Sequence, residues 1–267
     1  MAETAWTVAS WNVNSIKVRA PQVADWLAAR LPDVLLLQEL KVTTEAFPRE
    51  PFEELGYRPL VHGQKTWNGV AILSRSGAEE VRRTLPGMDD DQQARLLAAR
   101  VDGVLVVDVY VPNGQAVGTE KYDYKLRWLE ALARWFEEEL DPAEPIVLAG
   151  DFNIAPDERD LWDPEAFRGE VLFSEPERAA LRRLLDWGFA DVFRHFHDEG
   201  GHYSWWDYRQ AAFRRNMGAR IDLVLVTPPL LERAISAEID TAPRRLPRPS
   251  DHAPVLATFR LPPGGRG

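Results

Sequence analysis

The sequence predicts an α/β layered domain, with sheet packed on sheet and helices between and outside the strands. Three observations predict it. Short apolar runs such as "DVLLLQE" and "IVLAG" have the length and composition of buried strands. Amphipathic stretches with helical spacing intersperse with them along the chain, as in "KYDYKLRWLEALARWFEEEL". The chain has 267 residues and is 45% hydrophobic, enough for a sizeable core. No linker, repeat or low-complexity block interrupts it before "PPGGRG". One domain over residues 1–261 is expected, with a frayed, flexible tail at 262–267.

Each element has its own signal. "TVASWN" (7–12) reads as a strand. "APQVADWLAARL" places Val23, Trp26, Leu27 and Leu31 at helical spacing after a proline start. "DVLLLQE" and "GVAILSR" are buried strands. "ARLLAARVDGVLVVDVYVP" is two apolar runs around Asp102-Gly103, a hairpin signal. The long amphipathic helix of "KYDYKLRWLEALARWFEEEL" follows, then the strand of "IVLAGDFN". "SEPERAALRRLLDWG" carries a Ser174/Glu177 capping box and a Gly188 stop. "RIDLVLVT" and "APVLATF" close the chain as strands.

Composition narrows the function. The chain has no cysteine, which removes disulfides, thiolate metal sites and a cysteine nucleophile, and fits a reducing cytoplasm. The opening "MAETAWTVAS" has neither a basic region nor a long apolar one, so no signal peptide is expected. No apolar run approaches the roughly 20 residues of a membrane span. A formal net charge of -10, taken alone, argues against a non-specific nucleic-acid binder. The acidity is concentrated in "MDDDQQ" and "EEELDPAE", whereas Arg214, Arg215, Arg220, Arg244, Arg245 and Arg248 crowd the last fifth.

The strand ends carry the chemistry. Asn12, Glu39, Tyr110 with Asn113, and Asp151 with Asn153 close four strands; Asp222 and the pair Asp251-His252 precede two others. If the last two strands run antiparallel to the first four, all these groups meet at one edge. Asp151 and Asn153 share a side if the chain stays extended between them. Singly, each has a plainer reading. Glu39 could be a charge escaping into solvent, Pro112-Asn113-Gly114 a turn, Asp151-Phe152-Asn153 an Asx-turn, Trp205-Trp206 and His252 packing. So many strand-end polar groups landing together by chance is improbable. Carboxylates, amides, a phenol and an imidazole without thiols make an oxygen-rich site, suited to Mg²⁺ or Mn²⁺ and to phosphodiester hydrolysis. An unperturbed aspartate, pKa about 3.9, is a weak base for water and needs help from burial or a metal.

"ASWNVNSIKVR", "LLLQELK", "WNGVAILSR", "VYVPNG", "GDFNIAP", "RIDLVLVT" and "PSDHAPV" occur in this order. Together they resemble the exonuclease III class of abasic-site endonucleases, within the endonuclease/exonuclease/phosphatase superfamily. The resemblance implies a four-layer α/β sandwich, two packed mixed β-sheets flanked by helices. It implies a Mg²⁺- or Mn²⁺-dependent repair enzyme acting on double-stranded DNA with abasic sites or 3′ ends, as a monomer in the cytoplasm, at the bacterial nucleoid during base excision repair. By residue, it implies Glu39 as principal metal ligand, with Asn12 and Asp251 beside it and Asp151 and Asn153 contributing. Asp151 would orient or deprotonate the attacking water. Asn153, Asn113 and Tyr110 would contact phosphate, as would His252, held by Asp222. Trp205 and Ile221 would line the pocket for a base-less sugar, and Arg209 would enter the duplex. Arg215, Asn216 and Lys121 would bind DNA, on a face that also includes Lys17, Arg19, Lys65, Lys125 and Arg214. Ala219 departs from the bulkier apolar residue common there. A relative acting on small phosphate esters, or a catalytically dead DNA-binding module, are the alternatives. "KYDYKL" and the tryptophan pair argue against the first. The presence of Glu39, Asp151 and His252 argues against the second. Abasic-site incision, 3′-to-5′ exonuclease action and 3′-end cleaning are not ranked by the sequence.

Overall fold

The computed structural model describes residues 4–261, so the expected tail at 262–267 lies outside the described residues. Among the described residues there are twelve strands: β1 Thr4–Asn12, β2 Val34–Gln38, β3 Arg58–His62, β4 Val70–Ser74, β5 Glu79–Arg82, β6 Leu96–Val101, β7 Val104–Tyr110, β8 Ile146–Asp151, β9 Ala190–Asp191, β10 Asp222–Val226, β11 Ala234–Ile239 and β12 Val255–Leu261. They form two six-stranded sheets, in the orders β11-β12-β1-β2-β4-β3 and β5-β6-β7-β8-β10-β9.

Strand alternation builds the layers. In β2, Val34 and Leu36 face the second sheet and pack with Leu97, Val106, Val147 and Val224. Leu35 and Leu37 face the other way, onto Val23, Trp26 and Leu27 of the helix Ile16–Arg30. In the second sheet, Val107, Leu148 and Leu225 point outward onto Trp128, Leu132 and Phe136 of the helix Glu120–Glu139 and onto Leu181 and Leu184 of the helix Glu175–Trp187. Helix, sheet, sheet, helix is the four-layer order expected. Strands buried on both faces need apolar residues at every position, which explains the uninterrupted runs.

The hairpin signal is met by β6 and β7. Asp102 (φ 51°) and Gly103 (φ 81°) are both left-handed, as a two-residue turn of the strand-compatible twist requires. The first helix differs from expectation: it begins at Ile16, and Pro21 lies inside it. The loop after β2 accounts for this early start. It accepts Ser15 N–H at Glu39 O, 2.8 Å, and Ile16 N–H at Leu40 O, 3.1 Å, so the helix starts there without a side-chain cap.

Within the first sheet β1 runs parallel to β2 and antiparallel to β12. Within the second, β7 runs parallel to β8, and β8 antiparallel to β10. The ends of β1, β2, β7 and β8 and the starts of β10 and β12 therefore share one edge of the sandwich.

Candidate active site

At that edge the two sheets are joined by side chains. Asn12 Nδ2, at the end of β1, donates to Glu39 Oε1 and to Asp151 Oδ2, both at 2.9 Å. Tyr110 O–H donates to the same Glu39 Oε1 at 3.0 Å. Gly150 lets Asp151 come this close: a Cβ built there would lie 1.9 Å from Val109 O of β7.

Asp151 and Asn153 do meet, but not by continued extension. Asn153 turns left-handed (φ 50°), and its N–H donates to Asp151 Oδ1 at 2.9 Å, an Asx-turn. Its Nδ2 then reaches Val111 O at 3.0 Å and Asp151 Oδ2 at 3.3 Å. Asn113 Nδ2 donates to Asn153 Oδ1 at 3.1 Å. The segment is therefore an Asx-turn, and the turn itself sets both side chains at the shared edge.

From the antiparallel strands come Asp222 and His252. His252 Nδ1 donates to Asp222 Oδ2 at 2.8 Å, and its Nε2 stands 3.8 Å from Asp151 Oδ2. Burial alone would strip the imidazole of its proton, but Asp222, Asp151 and Asp251 prevail and hold its pKa up at about 10. Asp151 is pushed up to about 7 by burial, with His252 pulling down and Asp222 and Glu39 pushing up. The Tyr110 phenol is raised well above its ordinary value by burial and then by Glu39 and Asp151, so it stays a neutral donor. Asp251 goes the other way: burial would raise it, but His252 and bonds from Asn14 Nδ2 (2.9 Å) and Trp205 Nε1 (3.1 Å) keep it low.

Glu39, Asp151 and His252 offer atoms within 4.8 Å of one another, a group that could hold a metal ion. The donor chemistry fits a hard cation through Glu39 and Asp151. Glu39 Oε2 is met by the Lys41 ammonium at 3.0 Å, so positive charge already gathers where a cation would sit. His252, protonated and bound to Asp222, is suited to donate rather than to ligate. Asp251 is near but committed to Asn14 and Trp205.

Sequence reading missed two groups, Lys41 and Asn14, and misplaced a third. Lys41 pairs Glu39, and its Nζ also donates to Asn14 Oδ1 at 2.6 Å. Asn14 in turn anchors Asp251. Its period-two spacing from Asn12 in "WNVNS" was the available signal. The third is a correction. Lys125, expected on the DNA face, has 0% side-chain exposure and pairs with the equally buried Glu177. Its Nζ donates to Asn153 O at 2.7 Å and reaches Asn113 O at 3.3 Å. The helical period explains the placement, since Tyr122, Lys125, Leu129 and Leu132 share the buried face.

The remaining expected DNA contacts fall in two groups. Lys17, Lys65, Lys121, Arg209, Arg214 and Arg215 are exposed, and Arg209 pairs with Asp207 at 2.6 Å. Asn216 is also exposed, with Oδ1 accepting from Trp206 Nε1 at 3.2 Å and Nδ2 donating to Gly201 O at 3.1 Å. Trp205 is half-buried and bridges Ala219 and His252. Ile221 is only 2% exposed, packed with Ala155, Leu161, Phe173 and Ala219. The open cavity beside Trp205, about 310 Å³, is walled instead by Trp162, Phe167, Ala212 and Met217.

Two mixed sheets sharing one oxygen-rich edge define a phosphoester-hydrolysing class, and the chain belongs to the Endonuclease/Exonuclease/phosphatase family, whose model matches residues 9–252. Within it the chain is a hydrolytic nuclease of exodeoxyribonuclease III type. It is 37% identical over 263 residues to the Exodeoxyribonuclease III of Haemophilus influenzae, covering 94% of this chain and 98% of that one. Among solved structures, the 3′-5′ exonuclease NExo from Neisseria meningitidis is 44% identical with a TM-score of 0.93, covering 96% of this chain and 100% of its own. An AP endonuclease from Archaeoglobus fulgidus is 38% identical with a TM-score of 0.93 over the same shares.

Proposed function

We propose that the protein is a Mg²⁺- or Mn²⁺-dependent DNA-repair phosphodiesterase that cuts the backbone 5′ to abasic sites and also trims and cleans 3′ ends of duplex DNA. It would act as a monomer in the cytoplasm. The observation that carries the reading is the position of Asp151: a buried carboxylate shared between Asn12, the Asn153 turn and His252. The names of its relatives support the choice of substrate.

In this reading water attacks phosphorus and the P–O3′ bond breaks. Asp151 receives the water's proton, a role its buried place beside Asn12 and the His252 imidazolium supports. The His252 imidazolium, fixed by Asp222, and the Asn113 and Asn153 amides face the oxygens where negative charge grows. Tyr110, neutral and tied to Glu39, adds a further donor. Glu39 and Asp151 would hold the cation, with Asn12, Asn153 and Asp251 around it; when bound, it polarises the phosphate and neutralises charge. The experiment is cleavage of matched duplexes: intact, abasic, and 3′-phosphate-ended. Incision at the abasic site and loss of the 3′ phosphate are expected with Mg²⁺, and neither in EDTA. Undiminished cleavage in EDTA, or an abasic duplex left whole while the ends are trimmed, would contradict the corresponding part.

A further inference from the structure

Arg244 lies on the short helical turn Ala242–Arg245 between β11 and β12, with only 6% of its surface exposed. A buried guanidinium needs partners for its charge and its hydrogens. Arg244 finds them in carbonyls and ring faces. Its Nη1 donates to Ser250 O, and its Nη2 reaches Trp206 O at 3.4 Å. Its central carbon stands 5.8 Å from the centre of the Trp206 ring, 5.7 Å from Tyr208 and 5.0 Å from Phe213. All three rings belong to one loop, residues 206–213.

The two carbonyls belong to different parts of the site. Ser250 precedes Asp251-His252, whereas Trp206 opens the loop that carries Arg209. The turn at Ser250 has anchors of its own. Ser250 Oγ donates to Asn12 O at 2.7 Å and accepts His252 N–H at 3.2 Å, and Trp11 Nε1 donates to His252 O at 3.2 Å. The loop is tied at its start, by Trp206 N–H to Asp251 O at 3.0 Å and Tyr208 O–H to Pro249 O at 2.8 Å. Further on, Gln210 (φ 57°) and Ala211 (φ 51°) are both left-handed. Side chains rarely adopt that backbone twice in succession, and it persists where the surroundings enforce it. Arg244 supplies such enforcement. It gathers Trp206 and Tyr208, before the left-handed pair, and Phe213, after it, onto one cation.

We propose that Arg244 is a positioning residue that determines specificity: it clasps the 206–213 loop against the turn bearing His252, and so holds Arg209 where an internal DNA site requires it. The inference rests on the DNA-repair reading of the same edge. A 3′-phosphate end needs only the strand-end cluster, which Arg244 does not touch. An internal abasic site needs the loop as well. Loss of the clasp therefore separates the two reactions.

Arg244→Gln, Arg244→Lys and Phe213→Leu, each with a thermal melt, are compared with wild type on an abasic duplex and a 3′-phosphate-ended duplex in Mg²⁺. For Arg244→Gln, kcat/KM on the abasic duplex should fall by about 10²-fold, the cost of a misplacement of about 1 Å, with 3′-phosphate removal unchanged. Lysine should rescue little, because an ammonium has neither the planar fork nor the stacking face. Phe213→Leu keeps the fork and removes one ring, so it should lose less, in the same pattern, and it tests the clasp independently of how the Arg244 variants fold. Equal losses on both duplexes in a folded variant overturn the proposal, as does wild-type selectivity in folded Arg244→Gln or Phe213→Leu. Full rescue by lysine overturns the stacked fork. Wild-type protein that leaves the abasic duplex whole overturns both the clasp's role and the reading beneath it.

Discussion

A lysine ammonium with no access to water must be compensated, and Lys125 is: Glu177 supplies the charge, and the carbonyls of Asn153 and Asn113 take its other hydrogens. Burial pulls its pKa down while Glu177 pulls it back up. Glu177 also accepts Leu172 N–H at 3.1 Å and Ser174 N–H at 3.0 Å, so one ion pair ties two helices to the loops that carry the catalytic amides. Lys125→Met would leave that carboxylate buried without its partner, at a cost of about 3–5 kcal/mol. Denaturant unfolding should show this, and Lys125→Met combined with Glu177→Gln should recover much of it. A loss below about 0.5 kcal/mol, the surface-residue range, would mean the pair is not closed to water. The residues of the site itself were largely legible. Asn12, Glu39, Asp151, Asp222 and His252 each end or open an apolar run, so their meeting at one edge could be read from position, whereas their separate roles are implied only by the resemblance. Lys125 was not, because a lysine in a phosphate-binding chain suggests the surface, and only the helical register shows that it faces inward.

At the scale of elements, central strands announced themselves and edge strands did not. Strands β3, β5, β9 and β11 are the four sheet edges, and their sequences, such as "RPLVH" and "EEVR", carry charge or proline in place of an apolar run. That is how edges resist pairing with other chains, and it removes the periodic signal as well. A second hidden feature lies between the sheets. Asp108 in β7 is fully buried and accepts from Gln38 Nε2 of β2 at 2.7 Å. Through Gln38 it stands one residue behind Glu39. Burial raises its pKa well above the ordinary value, against the pull of the Gln38 bond. The sign follows from linkage. Its folded pKa exceeds the unfolded value of about 3.9, so its contribution is complete below that pH and is lost as pH rises through the folded value. Asp108→Asn keeps the shape without the charge. Its melting temperature relative to wild type should climb as pH goes from 4 to neutrality. A difference independent of pH would show that Asp108 titrates normally.

For the whole molecule, a net charge of -10 and a polyanionic substrate are compatible because the charge is unevenly placed. Glu39, Asp151, Asp222 and Asp251 gather at one edge, where His252 and Lys41 oppose them. Arg209, Arg214, Arg215, Lys65 and Lys121 lie exposed. Two sheets deliver their strand ends to one edge, and Asp151 is the proton acceptor proposed there. Asp151→Asn preserves shape and removes the base. Single-turnover cleavage of an abasic duplex, beside a thermal melt and a binding curve for the same variant, is the most direct measurement. A folded variant that still binds DNA but cleaves about 10²- to 10⁴-fold more slowly is the predicted result. Near-wild-type cleavage by that folded variant would contradict it, and the strand end at Asp151 would then be structural.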